Sequence, residues 1–95
     1  MTYAQKYITE HGFSHVEIYV DDFIASYKRR LHRISALERR YGEDAAESVR
    51  RVRAWIYYDF VSIIISNAEN GVDDSALLDA IKAAGLPFPK NPDLQ

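Results

Sequence analysis

The sequence predicts an all-α domain built on a long antiparallel helical hairpin, and three observations carry that expectation. Apolar residues recur at alternating spacings of four and three between Val16 and Ile63, the period of a helix face and not of a strand. The four glycines, at 12, 42, 71 and 85, each follow such a stretch, where a left-handed residue ends a helix without a Cβ penalty. All three prolines, at 87, 89 and 92, fall in the last nine residues, so none interrupts a helix upstream.

The glycines divide the chain into four helical segments within one domain, residues 1–95. The first, about 2–11, is short and offers Tyr3 and Tyr7 as an apolar face. The second, about 15–41, opens on a capping box in which Ser14 and Glu17 satisfy each other's backbone amides, with Phe13 and Ile18 placed as a hydrophobic staple. Its stripe runs Val16, Val20, Phe23, Tyr27, Arg30, Ile34, Leu37, Tyr41, and only Arg30 breaks it.

The third segment, about 44–69, places Glu43, Asp44 and Glu47 at its positive end and continues the alternation through Ala45, Val49, Val52, Ile56, Asp59 and Ile63. Only Asp59 breaks that stripe. Folding the two segments back through Gly42 brings together positions whose numbers sum to about 90, so Arg30 faces Asp59. The two interruptions therefore predict a structural ion pair that fixes register more than it stabilises. Ala54, Trp55, Tyr57, Tyr58, Val61, Ile64 and Ile65 make the third segment apolar on its other sides as well. It is expected as the central helix, covered by the two short helices or by a second subunit.

The last helix, about 73–84, has Asp73 as its cap, presents Leu77, Leu78 and Ile81 to the core, and ends at Gly85. Residues 86–95 are expected as an extended tail anchored by Phe88.

Composition excludes several classes. The absence of cysteine removes disulfides, thiolate nucleophiles and cysteine metal sites. No apolar stretch has the length of a membrane span and the N-terminal residues lack a signal-peptide pattern, so a cytoplasmic protein without a membrane partner is expected. His11 and His15 are four apart, but Gly12 between them denies the helical backbone that a two-histidine metal site needs. No phosphate-cradling glycine loop or nucleophile motif occurs. No enzyme activity, cofactor or metal is expected.

Charge is the remaining signal. The formal net charge is −2, yet residues 28–53 hold nine basic residues against four acidic ones, or +5, leaving −7 elsewhere. Eight of the nine are arginines, whose planar forks suit carboxylate and phosphate. Either Glu38, Glu43, Asp44 and Glu47 neutralise them along the helices, or an anionic partner covers them.

The candidate partner-binding set is Arg29, Arg33, Arg39, Arg40, Arg50, Arg51 and Arg53 with Tyr19 and Tyr58, since arginine and tyrosine are favoured interface anchors. The last helix carries the wrong charge for a DNA groove. The expected function is a small non-catalytic protein-binding module, an inhibitor or modulator of the immunity, antitoxin or phage anti-defence kind. It would dock on a protein of complementary charge, a nucleic-acid-processing machine being one such target. The alternatives are a nucleic-acid-binding regulator that sets the same arginines on phosphates, and a homodimer completed through the third segment.

Overall fold

The computed structural model describes residues 16–93, and the described residues are helical without a strand. Helix α1 spans Val16–Tyr41, a 3-10 turn Gly42–Ala45, helix α2 Ala46–Glu69 and helix α3 Ser75–Ala83. The expected helix over 2–11, the capping box at Ser14 and the His11/His15 pair lie outside the described residues. Tyr19 lies in α1, where only its backbone is described.

α1 and α2 pack as the antiparallel hairpin, which gives the molecule its long axis of 44 Å against 24 and 23 Å across. The seam buries Val20, Phe23, Tyr27 and Ile34 from α1 and Val52, Ile56 and Ile63 from α2, with Leu37 and Val49 packed at its margin. These are the residues of the two four–three stripes. Gly42 turns the chain at φ +55°, a conformation that costs an L side chain and not a glycine. Ala45 is buried as the last residue of the turn, and regular α2 begins at Ala46, two residues after the expected start at about 44.

Both later helix ends close in the same way. Gly71 and Gly85 have φ of +68° and +69°, the Val72 amide donates to the Asn67 carbonyl at 2.8 Å, and the Leu86 amide donates to Ile81 at 3.1 Å. These five-residue-back bonds satisfy carbonyls that a frayed end would leave open. Between them, the Asp73 carboxylate accepts the Ser75 amide at 2.7 Å, and Asp74 accepts the Asn67 side chain at 3.0 Å, tying the start of α3 to the end of α2.

Four expectations need correction. α3 packs against α1, with Leu77 and Ile81 fully buried, so it is not the element that covers the outer side of α2; the other expected cover, the helix over 2–11, lies outside the described residues. Leu78 points away from this contact and is exposed. Tyr41 leaves the seam and is half exposed at the residue where α1 gives way to the turn; its ring centroid lies 5.3 Å from the Arg40 guanidinium. The tail is held by its backbone and an acidic side chain rather than by Phe88, which is exposed. The Tyr27 hydroxyl donates to the Pro87 carbonyl at 2.6 Å, and Asp93 pairs with Arg50 at 2.7 Å.

Candidate functional site

Successive helical residues are 100° apart, so the predicted arginines sort onto two flanks of the seam. On α1, Arg29, Arg33 and Arg40 recur at spacings of four and seven and share one exposed flank. On α2, Arg51 and Tyr58 turn to the same side. Between the helices on this flank runs a groove of about 610 Å³ whose walls include Arg30, Arg33, Leu37, Arg51, Trp55 and Tyr58. Asp93, paired with Arg50, also borders this groove, while tail residues 87–92 line the other flank. There Arg53 borders a second cleft of about 330 Å³, with Tyr27, Leu31, Ile56, Pro87 and Pro89, and Arg39 points to that side by its spacing.

The arginines also differ in what already neutralises them. Arg50 is fully engaged: Nε and Nη2 donate to the two Glu47 oxygens at 3.1 and 2.7 Å, and Nη1 donates to Asp93. The Arg50 hydrogen bond, followed by its charge, holds the Glu47 carboxyl below the ordinary carboxylate range, and the same carboxylates push the Arg50 guanidinium further up. Arg51 shares Glu47 at 3.4 Å. Arg30 forms an ion pair with Asp59 and lies 5.5 Å from the Trp55 ring centroid, a cation–π contact.

Among the described residues, Arg29, Arg33, Arg39 and Arg53 have no carboxylate at ion-pair distance, and neither has Arg40. Neutralisation by neighbouring acids thus reaches Arg50 and Arg51 alone, through Glu47, while Glu38, Glu43 and Asp44 form no such pair there.

The set read from the sequence omitted Trp55, the most exposed large apolar side chain among the described residues at 62%. With Tyr58 at 52% and Ile65 at 47% it lies on a second four–three stripe of α2, which is the signal that would have found it. Clusters of three or more metal-ligating side chains are absent among the described residues. No helix there is long and apolar enough to cross a membrane. The flank sets guanidinium donors beside exposed aromatic rings, a chemistry suited to anions and flat apolar groups. No known family model, curated protein or solved structure matches this chain.

Proposed function

We propose that this protein is a non-catalytic binding module that docks on an acidic protein surface through the exposed flank of α1, in the manner of a small inhibitor or modulator. The observation behind this reading is the row Arg29, Arg33 and Arg40, three guanidiniums on one helix flank with no carboxylate partner among the described residues. Like charges held together are favourable only when counter-charge arrives, and arginine takes carboxylates through two parallel hydrogen bonds. Arg51 and Tyr58 border the same groove and Arg39 and Arg53 widen the basic end, while Arg50 serves the fold through Glu47 and Asp93.

A second reading, docking on nucleic acid, uses the same arginines on phosphates. A tagged pull-down from lysate of the native host, run with and without nuclease, separates the two. The expected result is a protein retained after nuclease by the wild type and lost by the Arg29→Glu/Arg33→Glu/Arg40→Glu variant. Recovery of nucleic acid alone, vanishing with nuclease and weakening log-linearly with salt, would overturn the protein-docking reading in favour of the phosphate one.

A further inference from the structure

α2 carries two helical stripes, and α1 covers only one of them. The inner stripe faces the seam. The outer one is Arg51, Trp55, Tyr58, Ser62, Ile65 and Glu69, spaced four, three, four, three, four, which is the spacing of a second packing seam. All six residues are exposed. Arg30 lies over the Trp55 ring, but the indole remains 62% exposed.

The order of chemistry along this stripe is what identifies its occupant. It runs cation, aromatic, aromatic, then small polar, aliphatic, anion. Laid against itself in parallel, it would set arginine on arginine and glutamate on glutamate. Laid antiparallel, with facing residue numbers summing to 120, it sets Arg51 on the partner's Glu69, Trp55 on the partner's Ile65 and Tyr58 on the partner's Ser62, each pair made twice by the two-fold axis. Opposite charges meet at both ends, and each aromatic ring meets a smaller side chain that can accommodate it.

We propose that the outer stripe of α2 is a self-association surface, and that its occupant is a second copy of this chain packed antiparallel in that register. From Arg51 to Glu69 the contact runs about 27 Å at 1.5 Å per residue. A single helix-on-helix contact of that length buries less area than a standard interface, so the dimer forms and dissociates with concentration. Arg29 and Arg40 on α1 stay outside it, whereas Arg51 and Tyr58 also border the docking groove described above, so a second copy and a docked partner compete for that wall of the groove.

The test uses the full chain. In sedimentation equilibrium the mass is expected to rise from 10.9 kDa toward twice that value with concentration. Emission from Trp55, the only tryptophan, is expected to shift blue over the same range. Trp55→Ala and Ile65→Ser should each stay at the monomer mass with unchanged helical circular dichroism.

The chain has no cysteine, so Arg51→Cys/Glu69→Cys should form a covalent dimer on mild oxidation while Arg51→Cys alone does not. A monomer mass up to millimolar concentration would overturn the proposal. Equal cross-linking by the single variant would also overturn it, because residue 51 meets its own copy only in parallel packing or in a different antiparallel register. Charge reversal at Arg29 and Arg40, which do not line that groove, should leave the mass–concentration curve in place, so failure of the docking reading and failure of this one remain distinct.

Discussion

Arg30 and Asp59 meet across the hairpin at the level where both apolar stripes are interrupted, and each side chain answers the break made by the other. Arg30 is 26% exposed and Asp59 48%, so water screens the pair and moderates its worth. Asp59→Ala should cost about 1 kcal/mol in urea denaturation by leaving Arg30 without its carboxylate. Arg30→Met/Asp59→Leu should recover most of that loss by filling the seam with apolar atoms. A double variant whose loss equals the sum of the single ones would show that the two residues are not coupled.

Tyr27 makes the fold sensitive to alkali. Burial raises its phenol above the ordinary value, with Arg53 opposing more weakly, and its hydroxyl is committed to the Pro87 carbonyl. A raised acid binds its proton more tightly when folded, so this contribution is intact below about pH 10 and falls as pH rises through the folded value. Tyr27→Phe should lower stability by about 1 kcal/mol at neutral pH and flatten the decline of melting temperature above pH 10.

At the acid limit the sign is opposite. Glu47 is held low by Arg50, and Asp73 by hydrogen bonds from the Ser75 side chain and amide. A depressed carboxyl contributes stability above the unfolded value and loses it as pH falls through the folded one, so the loss begins below about pH 4. Both groups are exposed, so the effect is modest. Glu47→Gln together with Asp73→Asn should give a melting temperature that is lower at pH 7 and varies less between pH 5 and pH 2.

Ser66 is fully buried in α2, and its hydroxyl finds no hydrogen-bond partner among the described residues. Burying an unpaired hydroxyl costs about 1–3 kcal/mol. Ser66→Ala removes it without adding volume and should raise the melting temperature. A lower melting temperature would mean that the hydroxyl is satisfied in solution.

The hairpin was legible because Val20, Phe23, Tyr27 and Ile34 obey a period that only a helix supplies, and because Arg30 and Asp59 broke it at matching levels. The path of residues 86–93 was not legible. It rests on the Pro87 backbone carbonyl and on Arg50, and a proline-rich segment has no periodicity from which such contacts could be read. Sequence showed that α2 is apolar around most of its circumference, but a one-dimensional pattern cannot say whether α3 lies against α1 or α2. The arginines were recognisable as a group. The pairs around Glu47 follow from spacings of three and four along α2 and were legible; that Glu38, Glu43 and Asp44 make no such pair among the described residues depends on side-chain directions that spacing does not give.

The bond between Tyr27 and Pro87 joins residues 60 positions apart, and α3 packs on α1, the helix farther from it in sequence. During synthesis α1 and α2 can therefore zip together early, by local contacts that form quickly. The flank of α1 that receives α3 stays bare until residues 75–93 have left the ribosome. For that interval the nascent hairpin presents sticky apolar surface to its surroundings, the kind of species that chaperones retain and that clumps when it is overproduced.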